Sequence, residues 1–294
     1  MKIIQSFWSK PVFDNNRQMS GRKVGGWIKK KYNYMSWALS CLQFRKYYDE
    51  VELITDQLGY YILIDLLKLP YTSVRIELDN LNNYDTGLWA LGKIYSYSIQ
   101  EQPFLHCDGD VYIWEKLPPH VDTASLVCQN IENANFYKPI LDSIREHFSF
   151  IPEIFPADQN GGSEIKAANA GVMGGTDLDF FKKFTQLAFE FVNRNAPHLD
   201  KTDVGMLNVI FEQLFFYALA KNRSAEVSCI LKDVNEAFDG LAEFTAAPGV
   251  IKYIHTIGYY KRFEYIGEML SFRLQCDYPD YYYRIDSLIR NRQL

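Results

Sequence analysis

The chain has 294 residues, of which 48% are hydrophobic and 23% are charged, and its formal net charge is −5. This composition supports a large buried core and excludes a disordered chain. The acidic balance argues against a nucleic-acid partner, which would require a basic face. The five cysteines are scattered and form no Cys-x-x-Cys pair. We therefore predict neither a disulfide framework nor a structural zinc site, and we expect a reducing compartment.

No segment has the pattern of a targeting or membrane-spanning element. The apolar run at residues 2–8 is too short for a signal peptide, and no later stretch approaches the roughly 18 uninterrupted apolar residues of a membrane span. We expect a cytoplasmic protein without a transmembrane segment, and a peripheral membrane contact stays open.

Apolar strands alternate with helices through the first third of the chain. The pattern predicts strands at 2–8, 51–55, 73–78 and 104–107, and helices at 35–48, 57–67 and 88–99, the second of them capped by Asp56. A βαβαβαβ order implies an α/β fold with a mainly parallel sheet flanked by helices. Ligands of such sheets bind beyond the carboxyl ends of the strands.

The second half of the sequence is less regular. It predicts strands at 125–128, 166–175 and 251–254, and a loop at 151–162. Helices are predicted at 136–148, at 203–220, and from Thr176 or Asp177 onward. Repeats and flexible linkers are absent from the sequence. We predict one domain with a nucleotide-binding half, 1–115, and an acceptor-side half, 116–294.

Asp108-Gly109-Asp110 directly follows the predicted strand at 104–107. Two carboxylates separated by a glycine can turn toward one cation because glycine lets the backbone bend tightly. Mg²⁺ or Mn²⁺ takes oxygen ligands and keeps positions open for diphosphate oxygens. The motif thus indicates a site for a metal and a nucleotide diphosphate, and an ordinary Asp-Gly turn is the alternative.

A second Asp-x-Asp pair, Asp177 and Asp179, opens a predicted helix. Acidic side chains there cap backbone amides and interact favourably with the helix dipole. We interpret this pair as structural.

Three segments together resemble glycosyltransferases of the GT-A fold, in which an Asp-x-Asp motif binds the metal and the nucleotide sugar. Besides Asp108-Gly-Asp110, the segment Asn169-Ala-Gly-Val resembles the strand that lines the donor-sugar and acceptor site. His255-x-x-Gly258-x-x-Lys261 is similar to the motif of glycosyltransferase family 8, the glycogenin-like group. The resemblance implies that His255 is the third metal ligand and that Gly258 and Lys261 contact the diphosphate.

Elementary chemistry agrees with these implied roles. A neutral imidazole completes a mixed oxygen and nitrogen shell, which favours Mn²⁺ over Ca²⁺. Lys261 supplies a positive charge for phosphate, and Gly258 lets the backbone approach it. A histidine at a strand end is also commonly a hydrogen-bonded structural residue, and this alternative stays open for His255.

Further donor contacts are predicted from position. Gln5 and Ser6 near the end of the first strand, and Asp56 after the second, are candidates for the base and ribose. Lys93 lies on the helix before the Asp108 strand, where many GT-A enzymes carry a basic residue. It can reach phosphate there, or it can be a solvated lysine on an amphipathic helix.

Glu212 lies on the predicted helix at 203–220, one turn after Asn208. This segment resembles the acidic helix that faces the acceptor in GT-A enzymes. A carboxylate there can act as a general base on an acceptor hydroxyl or orient it. A solvated glutamate is the alternative.

These observations predict a Mn²⁺- or Mg²⁺-dependent glycosyltransferase that moves a sugar from a nucleotide-sugar donor, taken as a UDP-sugar, to a saccharide or other hydroxyl acceptor in surface polysaccharide or glycoconjugate synthesis. The alternatives are a non-catalytic nucleotide-sugar-binding protein of the same fold and a haloacid-dehalogenase-like phosphohydrolase with Asp108 as nucleophile. The latter class usually carries its motif near the start of the chain.

Overall fold

The structure is a computed structural model that describes residues 1–13, 24–156, 164–231 and 242–294. Its strands are β1 (Lys2–Phe7), β2 (Val51–Thr55), β3 (Ser73–Ile76), β4 (Phe104–Cys107), β5 (Val111–Ile113), β6 (Leu126–Cys128), β7 (Ile131–Asn133), β8 (Lys166–Ala168), β9 (Val172–Gly175), β10 (Val227–Cys229) and β11 (Tyr253–His255). Its α-helices are α1 (Ser9–Phe13), α2 (Lys30–Tyr47), α3 (Gln57–Tyr60), α4 (Leu91–Ser98), α5 (Lys138–His147), α6 (Leu178–Arg194), α7 (Val204–Val209), α8 (Phe215–Asn222), α9 (Glu264–Asp277) and α10 (Pro279–Arg290).

Two compact units divide the chain. The terminal unit comprises Lys2–Asn83, Cys107–Leu117 and Asn235–Leu294, and the central unit comprises Met1, Tyr84–His106 and Pro118–Val234. The prediction of one domain with halves at 1–115 and 116–294 stays a prediction.

The terminal unit is built on three parallel strands in the order β1-β2-β3. Every residue of β2 is buried, as expected for a parallel strand covered on both faces. Helices α2, α9 and α10 pack on one another, and their apolar residues, including Met35, Leu39, Leu270 and Ile285, join the buried core of this unit. A separate antiparallel pair, β5 with β11, completes the unit.

The central unit has strands in the order β10-β6-β9-β4. The β10–β6 pairing is parallel and the β6–β9 pairing is antiparallel. A cluster of aromatic rings from α4, β4, α6 and α8 fills its core, with Phe181 4.8 Å from Phe104 and 6.0 Å from Phe216 between ring centroids. Aromatic pairs at these separations stabilise a core beyond the area they bury.

The predicted α/β class, with a mostly parallel sheet and flanking helices, is confirmed. The four strands predicted in the first third are observed, and β2 and β4 have the predicted bounds. The helix predicted at 57–67 begins at its predicted cap, since Asp56 accepts a hydrogen bond from the Gly59 amide, and continues as a π-helical turn at Tyr61–Leu66. The predicted loop at 151–162 lies partly outside the described residues.

One predicted strand is wrong in extent. Residues 166–175 form two strands, β8 and β9, which pair with different partners, β7 and β6. The break lies at Asn169–Gly171, where the Asn169 side-chain oxygen accepts a hydrogen bond from the Gly171 amide. Asparagine commonly forms such a turn with the backbone two residues on, and this interrupts the strand.

One helical stretch among the described residues, Val204–Asn222, is long and apolar enough to cross a membrane by length and composition alone. It contains α7, a π-helical turn at Ile210–Leu214 and α8, and 61% of its apolar stretch is buried inside the protein. The core helix of a soluble protein meets the same criterion. The predicted cytoplasmic location stays a prediction.

The second Asp-x-Asp pair has the predicted capping role. Asp177 is the N-cap of α6, where its side chain accepts a hydrogen bond of 2.9 Å from the Phe180 amide. The side chain of Asp179 is 92% exposed and lies 3.6 Å from Lys182.

We predict that Asp177→Ala lowers the free energy of unfolding by about 1 kcal/mol, because one amide of the first turn of α6 loses its acceptor. Urea denaturation measures this change. Asp179→Ala is the matched control and should stay within about 0.5 kcal/mol of the unmodified protein. Equal losses in the two variants would contradict the assignment of the cap.

Candidate functional site

The pairing of β5 with β11 brings together residues that are far apart in the sequence. His255, the last residue of β11, is in register with Val111, the first residue of β5. The Thr256 amide donates a hydrogen bond of 3.0 Å to the carbonyl of Asp110, and the Val111 amide closes the turn on the carbonyl of Asp108. This local structure places the imidazole beside the Asp108–Asp110 turn.

Asp108, Asp110 and His255 form a group that fits a divalent cation. Their ligand atoms all lie within 4.8 Å of one another, and His255 Nε2 is 3.7 Å from Asp110 Oδ1. Ligands lie about 2.0–2.2 Å from such an ion, so two ligands of one ion are at most about 4.4 Å apart. Small side-chain rotations therefore suffice for all three to bind one ion. Two carboxylates and one imidazole are ligand types that divalent cations take in proteins.

Lys261 lies against one of these carboxylates, that of Asp110. Its Nζ is 2.5 Å from Asp110 Oδ2 and 5.9 Å from the centre of the Trp27 ring, and its side chain is 15% exposed. Its backbone carbonyl accepts a hydrogen bond from the Ile28 amide. The ammonium offsets part of the negative charge of the turn. A Cβ placed on Gly258 would meet no described atom within 4 Å, so there is open space beside this glycine.

Gln5 supports the Asp108–Asp110 turn from inside the protein. It is fully buried. Its amide nitrogen lies 2.8 Å from Ser40 Oγ and 3.4 Å from the Asp108 carbonyl, and its oxygen accepts a hydrogen bond from the Tyr71 hydroxyl. Ser40 in turn donates to the Val111 carbonyl at 2.7 Å. The Gln5 nitrogen thus contacts the turn while its oxygen is held by Tyr71, and a contact with a nucleotide base stays a prediction.

Gly109 is required for a different reason than the sequence suggested. It is not among the described glycines with positive φ, so the turn does not depend on a left-handed backbone. A Cβ at this position would lie 2.5 Å from the Trp37 indole. The Trp37 ring itself packs edge-on against Phe7 at 4.9 Å. The glycine is therefore needed for the close approach of an aromatic ring.

The other predicted donor contacts lie at the carboxyl ends of β1 and β2. Ser6 is half-buried. Asp56 is buried, and its carboxylate accepts hydrogen bonds from the amide and hydroxyl of Ser9 and from the Gly59 amide. Asp56 therefore holds the ends of two segments together, and its contact with a nucleotide stays a prediction, as does that of Ser6.

In the central unit, Lys93 and Glu212 form a buried ion pair. Lys93 Nζ is 2.7 Å from Glu212 Oε1, and the side chains are 12% and 0% exposed. Neither of the solvated alternatives is correct. Burial raises the pKa of Glu212, and the Lys93 ammonium counteracts part of this rise. Oε2 of Glu212 has no hydrogen-bond partner among the described residues. Unsatisfied buried carboxylate oxygens are rare and require an explanation.

Lys93 also connects this pair to the turn between β8 and β9, since its Nζ lies 3.3 Å from the Ala170 carbonyl. In the same turn, Asn169 is buried and its amide nitrogen donates a hydrogen bond of 3.3 Å to Glu132. Burial raises the pKa of Glu132, and this hydrogen bond opposes the rise. The turn that contains Asn169 and Ala170 is thus contacted by Lys93, the partner of Glu212, and by Glu132.

Sequence reasoning missed three contributions to these sites. Trp37, Ser40 and Glu132 belong to no local motif that would mark them in the sequence. The partnership of Lys93 with Glu212 was missed as well, because it joins α4 to the π-helical turn at Ile210–Leu214 through tertiary packing. A π-helical turn often marks a functional site, but no pattern in the sequence distinguishes this turn from an ordinary α-helix.

The chain matches the model of one known protein family. The model of a family of unknown function (DUF6734) matches residues 1–288. The chain belongs to this family. A comparison with curated proteins finds no match.

Several solved structures are similar to this DUF6734 protein. LgtC, a galactosyltransferase solved with donor and acceptor sugar analogues, is 15% identical over 72% of this chain and 70% of its own, with a TM-score of 0.38. Mouse xyloside xylosyltransferase 1 is 10% identical over 86% of this chain and 96% of its own, with a TM-score of 0.40. The glycosyltransferase GlyE of Streptococcus pneumoniae TIGR4 is 10% identical over 99% of this chain and 63% of its own, with a TM-score of 0.43.

We predict that Lys93→Met lowers the free energy of unfolding by about 3–5 kcal/mol, because the buried Glu212 carboxylate loses its only described counter-charge. The double variant Lys93→Met with Glu212→Gln should recover part of that loss, because it leaves no buried charge. Urea denaturation measures both. Lys221→Met, which removes an exposed lysine of α8, is the matched control. A double variant that loses the sum of the two single losses would contradict the coupling.

Proposed function

We propose that this protein is a metal-dependent glycosyltransferase of the GT-A type. It moves a sugar from a nucleoside-diphosphate sugar, taken as a UDP-sugar, to a hydroxyl acceptor in surface polysaccharide or glycoconjugate synthesis. The observation that carries the proposal is the convergence of Asp108, Asp110 and His255, with Lys261 in contact with Asp110. These are the residues of the Asp-x-Asp and His-x-x-Gly-x-x-Lys motifs, and they meet within one unit.

The residues of the terminal unit have distinct tasks in this proposal. Asp108, Asp110 and His255 would hold Mn²⁺ or Mg²⁺, and the bound cation would supply positive charge for the departing diphosphate. The Lys261 ammonium binds a phosphate oxygen, and the open space at Gly258 admits the diphosphate. Gln5 and Ser40 keep the turn in place so that both carboxylates are oriented before the donor arrives. Ser6 and Asp56 remain proposed contacts of the base and ribose.

The residues of the central unit are assigned to the sugar and the acceptor. Asn169 contacts the sugar through its side-chain amide. For Glu212 we favour the orienting role over that of a general base, because the carboxylate is fully buried and is paired with Lys93. Glu212 holds Lys93 in place, and Lys93 contacts the Ala170 carbonyl. Glu212 thereby helps to position the turn that contains Asn169.

A thermal-shift measurement with Mn²⁺ and uridine diphosphate tests the metal assignment. We predict that uridine diphosphate raises the melting temperature only when Mn²⁺ is present, since a ligand of the native state stabilises it by mass action. Asp110→Ala should abolish this Mn²⁺-dependent rise. Asp179→Ala removes an exposed carboxylate of the other Asp-x-Asp pair and should keep the full rise. A rise that persists in Asp110→Ala would show that the metal assignment is wrong.

Turnover separates an enzyme from a binding protein. The proposal expects Mn²⁺-dependent release of uridine diphosphate from at least one member of a panel of UDP-hexoses. Mn²⁺-dependent binding without turnover of any donor would favour a non-catalytic nucleotide-sugar-binding protein.

For Glu212→Gln we predict a loss of about tenfold in the rate of uridine diphosphate release, the equivalent of roughly 1.4 kcal/mol, with the pH profile unchanged. Glutamine keeps an acceptor for Lys93 but loses the charge. Glu226→Gln, at an exposed glutamate of the same unit, is the matched control. A loss of about 10²–10⁴ together with a changed pH profile would instead identify Glu212 as a general base.

A further inference from the structure

Two cysteines of the central unit lie side by side at the ends of neighbouring strands. Cys128 ends β6 and Cys229 ends β10, and the two residues are in register in the parallel pairing. Their sulfur atoms are 3.9 Å apart. Neighbouring strands lie about 4.8 Å apart, and disulfides join residues whose Cα atoms are about 4.4–6.8 Å apart. The spacing of paired strand residues thus falls within the range that a disulfide spans, and the two sulfur atoms already lie close to each other.

The two thiols differ in their surroundings. Cys128 is buried and Cys229 is partly exposed. The hydrogen bond from the Cys128 thiol and a backbone hydrogen bond from Ile131 lower the pKa of Cys229 to about 7, although burial opposes the shift. The same contact and burial raise the pKa of Cys128. A partly exposed thiol with a lowered pKa beside a buried thiol is the arrangement of an attacking and a resolving cysteine.

We propose that Cys229 and Cys128 form a reversible disulfide by reaction with a low-molecular-weight disulfide. The Cys229 thiolate attacks one sulfur of the small disulfide, whose S–S bond breaks, and the departing thiolate takes up a proton. Cys128 then loses its proton, and its sulfur attacks the Cys229 sulfur and releases the second small thiol. The two cysteines are oxidised, and the small disulfide is reduced to two thiols.

This pair differs from a structural disulfide framework, which the spacing of the five cysteines does not predict. A disulfide here joins the end of β6 to the end of β10. The next residue after Cys128 is Gln129, whose backbone amide donates a hydrogen bond to the Asn169 carbonyl. The proposed modification therefore lies next to the backbone that holds the Asn169 turn. It stands independently of the proposed glycosyl transfer.

Oxidised glutathione tests the proposal on the full, reduced chain. After incubation, the protein is unfolded in denaturant so that every free thiol is blocked by N-ethylmaleimide, and it is then digested and analysed by mass spectrometry. We expect a cross-linked peptide that contains Cys128 and Cys229, the loss of two alkylatable thiols at these positions, and full recovery of both after treatment with dithiothreitol. In Cys128→Ser the reaction should stop at a glutathione adduct on Cys229.

The variants Cys276→Ser and Cys229→Ser complete the test. Cys276 is exposed, so Cys276→Ser should lose only the adduct at that position and keep the cross-link. Cys229→Ser should leave Cys128 unmodified. Circular dichroism checks that the variants remain folded. Two results would overturn the proposal: Cys128 and Cys229 both remaining alkylatable in the wild-type chain, or a glutathione adduct on Cys229 that persists while Cys128 is present.

Discussion

The candidate metal centre depends on one short antiparallel pairing, that of β5 with β11. Only three residues of each strand take part, yet this pairing fixes which side chain of the late segment lies beside the Asp108–Asp110 turn. A slip by one residue would turn every side chain of β11 to the opposite face. The hydrogen bond from the Thr256 amide to the Asp110 carbonyl extends the pairing past the strand ends and makes such a slip costly. The register of two short strands thus determines which residues form the candidate ligand set.

Bringing two carboxylates together carries an electrostatic cost, and the surrounding residues compensate for it. Like charges within a few ångströms of each other disfavour the ionised forms. Lys261 supplies one positive charge in direct contact with Asp110. Gln5 and Ser40 donate hydrogen bonds that hold the backbone of the turn, and Tyr71 in turn donates a hydrogen bond to Gln5. A rigid support of this kind is what a preorganised cation site requires.

The sequence predicted much of the fold because the first third of the chain is locally consistent. There, apolar strands, a capping aspartate at position 56 and amphipathic helices all indicate the same arrangement. The single strand predicted at 166–175 was wrong because the hydrogen bond of Asn169 with Gly171 competes with the strand, and only the structure shows it. The candidate ligands Asp108, Asp110 and His255 were recognisable from motif spacing. The burial of Glu212 and its pairing with Lys93 were not, because no local pattern encodes a contact between two helical segments of different sequence regions.

The contact between Gly109 and Trp37 also constrains how this protein can vary. The indole of Trp37 occupies the space that any side chain at position 109 would need. Gly109 therefore cannot be replaced by a larger residue while Trp37 is present. Substitutions at the two positions should therefore be found together: a relative with a larger residue between its carboxylates needs a smaller one in the place of Trp37. The residue between the two aspartates is therefore constrained by packing against helix α2 and not by the candidate metal site.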